Sequence, residues 1–171
     1  MIMSPIRTDR LLLIPATAES TSFELAQHDQ LAMFLNCRIP PSWPPMNVRD
    51  VLSLFESILR DHPDQVGWHG WYWIANDQPE LTLVGSGGFR GPPQVGQVEI
   101  GYGTLEIFHR QGYATEAVRA LCDHAFHDPR VRTIIADTDA TNIASQRVLT
   151  HCGFFDRGPA GAGRLRYHRR P

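Results

Sequence analysis

Nothing in the 171 residues approaches the roughly 20 consecutive apolar residues that cross a bilayer. No membrane partner is therefore expected, and the start, Met1 to Arg10, lacks the apolar core of a secretory signal. The expected setting is cytoplasmic. Cysteine is scarce, and Cys37, Cys122 and Cys152 show no paired spacing, which fits reduced thiols rather than a disulfide framework. Net charge is small, formally -2, which argues against a general polyanion binder, so no nucleic acid partner is expected. There is no internal repeat or low-complexity segment. The length suits a single domain over 1-171 that can bury a core.

What is present is ordinary for a globular protein, 42% apolar and 20% charged. Leu11-Leu-Leu-Ile14, ended by Pro15, predicts a first strand. Thr17 suits the N-cap of a helix to about Gln27, with a further helical piece near Leu31 to Leu35. Pro40-Pro-Ser-Trp-Pro-Pro45 breaks regular structure, as a plain connection or as a loop pinned beside a pocket. Asn47 then caps an amphipathic helix with Val51, Leu52, Phe55, Ile58 and Leu59 on one stripe. Trp68 to Ala75 and Leu81 to Phe89 predict an antiparallel hairpin, and the chain turns at Gly91-Pro-Pro93 into a strand from Gln97 to Tyr102.

From Ala114 the period is helical, with Ala117, Val118, Leu121, Cys122 and Ala125 on the same face, and Asp128-Pro129 ends it. Thr133-Ile-Ile-Ala136 lacks alternation, as expected of a strand covered on both faces. Strand-helix-strand units cross over right-handedly, so 97 to 102 and 131 to 137 should be parallel and central. Asn142 caps a last helix with Ala144, Val148, Leu149 and Cys152 inward, closed by Gly153. Phe154-Phe155 and Leu165 to His168 supply a final hairpin, with Arg164 to Arg170 alternating as an edge strand would. The fold class is α/β, a mixed, mostly antiparallel sheet with one parallel pair and helices on both faces.

Between the alternation of Val98 to Tyr102 and the helix from Ala114 lie Arg110, Gln111 and Gly112. Amides in the first turn of a helix lack helical partners and the dipole adds partial positive charge, so residues 109 to 115 suit a phosphate-bearing ligand. A helix start with an incidental glycine is the plain alternative. Gly85-Ser-Gly-Gly-Phe-Arg90 precedes Pro92-Pro93 and a strand, not a helix, which removes the reason for a dinucleotide loop. His124 and His127 have no third ligand nearby in sequence and read as a solvated pair, so no metal is expected. The cluster Trp43, Trp68, Trp71, Tyr72 and Trp73 reads as core packing.

Val98-Glu-Ile-Gly-Tyr102, Gln111-Gly-Tyr-Ala-Thr-Glu-Ala117, Asn142-Ile-Ala-Ser145 and His151-Cys-Gly-Phe154, in this order, resemble the GCN5-related N-acetyltransferase (GNAT) family. Within it they resemble the branch that acetylates ribosomal-protein N-termini. The resemblance implies the acyl-CoA N-acyltransferase fold with its parallel pair splayed, an acetyl-CoA cosubstrate and no metal. It also implies an amine acceptor, either a small molecule or a protein N-terminus. The N-terminal half becomes the acceptor side, where one or two of the aromatics could line the pocket, and 94-154 becomes the coenzyme A-binding core. Homodimerisation, common among relatives, stays open. His109-Arg-Gln-Gly-Tyr-Ala114 matches the family's phosphate loop, Gln/Arg-x-x-Gly-x-Gly/Ala, except at His109, which should weaken or retune binding. Arg110, Gln111, Gly112, Tyr113, Ala114 and Thr115 are implied to face the pyrophosphate, and Ile100, Gly101 and Tyr102 to pair with the pantetheine. A strand glycine such as Gly101 marks close backbone approach, or else packing against an aromatic.

Acetyl transfer to an amine needs a neutral nitrogen, a stabilised oxyanion and a protonated leaving thiolate. Glu99 stands where several members carry a general base; a structural carboxylate or a contact to the substrate amine is the alternative. Ser145 lies one turn after Asn142. In the ribosomal-protein branch the matching serine lies near the coenzyme sulfur as a possible acid, while the asparagine holds pantetheine or serves only as an N-cap. Leu149 stands seven residues after Asn142, where many relatives carry an acid tyrosine, so that route is closed. A catalytically silent coenzyme A-binding sensor and a nicotinamide-dependent oxidoreductase are the rival functions.

Overall fold

The computed structural model describes residues 4–26 and 28–171. In chain order it contains β1 Ile6–Arg7, β2 Leu11–Pro15, α1 Ala18–Ala26, α2 His28–Leu35, α3 Met46–Arg49, α4 Leu52–Asp61 and β3 Gly70–Ala75. Then come β4 Thr82–Phe89, β5 Gln97–Thr104, α5 Tyr113–Phe126, β6 Thr133–Asp139, α6 Ile143–His151, β7 Phe155–Pro159 and β8 Arg164–Arg169. The strands form one sheet in the order β1-β2-β3-β4-β5-β6-β8-β7. Among the described residues β5 and β6 are its parallel pair, joined through α5, as the strand-helix-strand pattern predicts.

Local chemistry explains most boundaries. Thr17 and Ser20 cap α1 reciprocally, the Thr17 hydroxyl accepting from the Ser20 amide at 3.1 Å and the Ser20 hydroxyl from the Thr17 amide at 2.9 Å. The predicted end of that helix at Gln27 lies outside the described residues. The amphipathic helix has its N-cap at Val51, not at position 47. Position 47 falls within the short α3, whose N-cap is Pro45, and α4 starts only at Leu52 after a separate turn.

Four expectations about the C-terminal half are corrected. β6 is buried on one face only: Ile134, Ala136 and Thr138 are buried, whereas Thr133, Ile135 and Asp137 are partly exposed. Its apolar run hid this alternation because Ile135 is apolar on the open face. Arg164–Arg169 is not an edge strand but lies between β6 and β7, pairing with β6 over six residues. Its two arginines on the open face both meet Asp137 of the neighbouring strand: Arg166 donates to both carboxylate oxygens at 2.8 and 2.7 Å, and Arg164 to the main-chain carbonyl at 2.9 Å. Such a match lets a charged strand sit inside a sheet. The last helix also differs, for Ala144 is exposed while Ser145, Val148, Leu149 and Cys152 turn inward to varying depth. His124 is not solvated but packs edge-on against Trp71, ring centroids 5.5 Å apart.

The core is laid over β3 and β4. Trp71, Tyr72 and Trp73 are buried, and the glycines of β4 make room for them. A Cβ at Gly87 would lie 2.6 Å from Trp73 Cζ2 and from Tyr102 Cβ, and one at Gly88 would lie 1.8 Å from the His69 carbonyl. Those glycines serve close packing, consistent with rejecting a dinucleotide loop. Trp71 meets α5, whereas Tyr72 on the opposite face meets Glu24 of α1. Helices thus cover both faces around β3 and β4, and among the described residues none is long and apolar enough to cross a membrane.

Candidate active site

β5 and β6 stay in register only through Gln97↔Thr133, Val98↔Ile134 and Glu99↔Ile135. Beyond Glu99, β5 pairs with β4 from Ile100 to Thr104, while β6 continues against β8 to Asp139. The two strands therefore part, leaving a cleft whose β5 wall is Ile100, Gly101, Tyr102, Gly103 and Thr104. A Cβ at Gly101 would meet nothing within 4 Å, which overturns packing against an aromatic as its role and leaves the wall smooth there.

Both helices that follow these strands begin near the cleft. α5 starts after Gly112, which has φ 85°, and Arg110 is also left-handed at φ 59°. The turn at 109 to 112 is exposed, but it is held from several sides. His109 Nε2 lies 3.0 Å from the Thr104 carbonyl and Gln111 Nε2 donates to the Ile107 carbonyl at 3.2 Å. Tyr113 is buried and packs edge-on with Phe108. His109 thus turns back to the end of β5, which explains how a histidine fits the loop's first position. The first amides of α5 have no partner within the helix and face its positive dipole end.

Arg10, which sequence reasoning did not single out, anchors this turn. Its guanidinium donates to the Gln111 carbonyl at 2.9 Å and to Glu116 at 2.8 Å, and it lies 4.8 Å from the Tyr113 ring centroid. Glu116 also accepts from the Arg10 amide at 2.8 Å and the Thr8 hydroxyl at 2.6 Å. Burial works against its charge, but the Thr8 and Arg10 hydrogen bonds outweigh it and hold the carboxyl below its ordinary range. No local signal could mark an arginine that acts 106 residues away.

α6 begins at Asn142, whose Oδ1 accepts from the Ser145 amide at 3.0 Å, so its N-cap role is realised. Ser145 Oγ is 3.0 Å from the Tyr102 hydroxyl, which also lies 3.3 Å from the Ser145 carbonyl oxygen. On the open face of the sheet, Glu99 is paired with Arg90 at 3.0 Å, both partly exposed. Beside it the Asp137 carboxyl is held below its ordinary range, chiefly by hydrogen bonds from Arg166. The structure thus brings Gly101, Tyr102, Asn142, Ser145 and the residues 109 to 115 around one cleft, with Glu99 at its base on the opposite face from Tyr102.

A parallel pair that parts between two helix starts is the arrangement that the resemblance to acyl-coenzyme A-dependent transferases implies. Residues 10–155 match the family model described as the Acetyltransferase (GNAT) domain, and the chain belongs to that family. Membership implies acetyl transfer from acetyl-CoA. The uncharacterized N-acetyltransferase YjdG of Bacillus subtilis (strain 168) is 29% identical over 150 residues, covering 87% of this chain and 88% of the relative. Two solved structures are similar in fold. One is the Salmonella typhimurium acetyl transferase that modifies the N-terminal serine of ribosomal protein L7/L12, with TM-score 0.68 at 18% identity, covering 98% and 99% of the two chains. The other is the microcin C7 self-immunity acetyltransferase MccE in complex with acetyl-CoA and AMP, with TM-score 0.62 at 17% identity, covering 96% and 94%.

Proposed function

We propose that this chain transfers the acetyl group of acetyl-CoA to a primary amine, of a small molecule or a protein N-terminus, by direct attack. The observation that carries this is the parting of β5 and β6 after Glu99↔Ile135, with the α5 start and Ser145 set around the opening. In this reading the pyrophosphate sits on the main chain of residues 109 to 115, and the pantetheine pairs with Ile100, Gly101 and Tyr102 beside Asn142. The acceptor enters from the N-terminal half, over Gly101 and Gly103. Its nitrogen attacks the thioester carbon and the C–S bond breaks with its electron pair leaving on sulfur. Glu99 takes the proton that nitrogen loses, directly or through water, Ser145 supplies the proton that sulfur gains, and solvent then carries a proton from Glu99 back to Ser145. Arg90 fixes the Glu99 carboxylate for that task.

The test is product mass after incubating the purified chain with acetyl-CoA and a panel of amines. The panel includes a peptide with an N-terminal serine, as the Salmonella relative suggests. The sequence contains no lysine, so the enzyme has no lysine amine of its own to confuse the product. An acetyl group gained on one class of amine is expected. No gain on any amine would favour a coenzyme A-binding sensor instead. In Ser145→Ala, kcat should fall more than KM rises.

A further inference from the structure

We infer that Tyr102 is a positioning residue for this transfer, orienting the Ser145 hydroxyl so that its proton points at the coenzyme sulfur. The inference rests on Ser145 being the acid. β5 and β6 have separated by Tyr102, yet its hydroxyl crosses to α6 and meets Ser145 Oγ at 3.0 Å. The ring cannot drift: its Cβ lies against Gly87, and it tilts at 30° to Trp73 with centroids 6.5 Å apart. Ser145 is fixed from its other side by the bond from its amide to Asn142.

A hydroxyl has one proton to donate and two positions at which to accept. A serine in a helix ordinarily donates back to the carbonyl one turn earlier, which would take its proton away from the cleft. The one Tyr102 proton has two acceptors on Ser145, its carbonyl at 3.3 Å and its Oγ at 3.0 Å; given to the nearer Oγ, it occupies an accepting position and leaves the serine proton for a third partner, while strengthening that proton as a donor. Burial pushes the Tyr102 phenol well above its ordinary value of 10. The phenol therefore stays neutral, donating a hydrogen bond without surrendering its proton. No proton is consumed at Tyr102, and the transfer balances as before.

The test needs no acceptor. Coenzyme A bound to the purified chain is titrated by its thiolate absorbance. Ser145→Ala and Tyr102→Phe should each make the bound thiol about tenfold less acidic, the scale of one hydrogen bond. The double variant should match Ser145→Ala alone. Incorporating 3-fluorotyrosine at 102, the same shape with a stronger donor, should make the thiol more acidic and keeps the test open if Tyr102→Phe unfolds. A shift in Ser145→Ala with none in either Tyr102 variant overturns the inference alone. No shift in any variant overturns the acid role of Ser145 as well. A double variant showing the two shifts added would mean that Tyr102 does not act through Ser145.

Discussion

Replacing Glu24 by Gln should stabilise the protein above neutral pH and flatten its stability between pH 4.5 and 7. Glu24 on α1 is only 4% exposed. Its Oε1 accepts from Trp43 Nε1 at 2.9 Å and its Oε2 from the Tyr72 hydroxyl at 2.8 Å. Burial pushes its carboxyl from the ordinary 4.5 to about 7, the Tyr72 and Trp43 hydrogen bonds offsetting part of the effect. Below pH 4.5 both folded and unfolded chains hold this proton, and no penalty exists. Between 4.5 and 7 the unfolded chain releases it while the folded chain keeps it, so stability declines as pH rises. Above 7 the penalty is constant. At about 1.4 kcal/mol per pH unit, that gap amounts to about 3 kcal/mol. Gln carries no charge at any pH. It can accept from Trp43 and donate to the Tyr72 oxygen, whose own proton then turns towards the neighbouring hydroxyls of Ser20 and Thr21. Urea unfolding from pH 4.5 to above 7 measures the difference. The wild type should lose about 3 kcal/mol relative to Glu24→Gln across that window. Parallel pH profiles, or a variant less stable above pH 7, would refute the reasoning.

Gly112→Val should raise the coenzyme A dissociation constant about tenfold or more. The residue holds φ 85° and its Cβ would lie 3.1 Å from the Arg10 guanidinium, so the loop must shift; unchanged affinity by calorimetry would remove the phosphate from this turn. Gly88→Ala should cost about 2–4 kcal/mol, because a Cβ 1.8 Å from the His69 carbonyl forces β3 and β4 apart. A wild-type melting temperature would contradict that packing. Asp137→Asn should lose about 1 kcal/mol at neutral pH, the pair with the partly exposed Arg166 being screened. The Asp137 carboxyl is depressed below its ordinary 3.8. Its contribution is therefore present above that value and disappears as pH falls through the folded one, so the variant's acid limb should be flatter.

The proposed coenzyme side was legible because the main chain builds it, and main-chain requirements leave marks in residue type. A left-handed helix start needs a glycine at 112, a cap needs Asn142, and a right-handed crossover sets β5 beside β6. The inward turn of β8 was not legible, since a row of alternating arginines looks the same at an edge as beside the acid that partners Arg166. Nor was the half-open face of β6, where Ile135 concealed the alternation. Side chains that act across the fold left no trace at all. Arg10 reaches Glu116, and Tyr102, singled out for its backbone, turned out to present its hydroxyl to Ser145.

The anchoring by Arg10 also explains how a strained turn can serve as a ready seat. A left-handed non-glycine residue such as Arg110 costs about 1–2 kcal/mol, so an exposed turn carrying it would not hold this shape unaided. The offset comes from beneath. Arg10 holds the Gln111 carbonyl and Glu116, and the Tyr113 hydroxyl donates to Asp77 at 2.6 Å while accepting from Gln78 at 2.8 Å. Three segments, the turn before β2, the turn between β3 and β4 and the first residue of α5, are thus fastened at one end of the sheet. A turn shaped before its ligand arrives does not charge the ordering of its backbone against binding. The same fastening ties the turn at 109 to 112 to β2 and β3, and β3 carries Tyr72, which donates to Glu24 of α1.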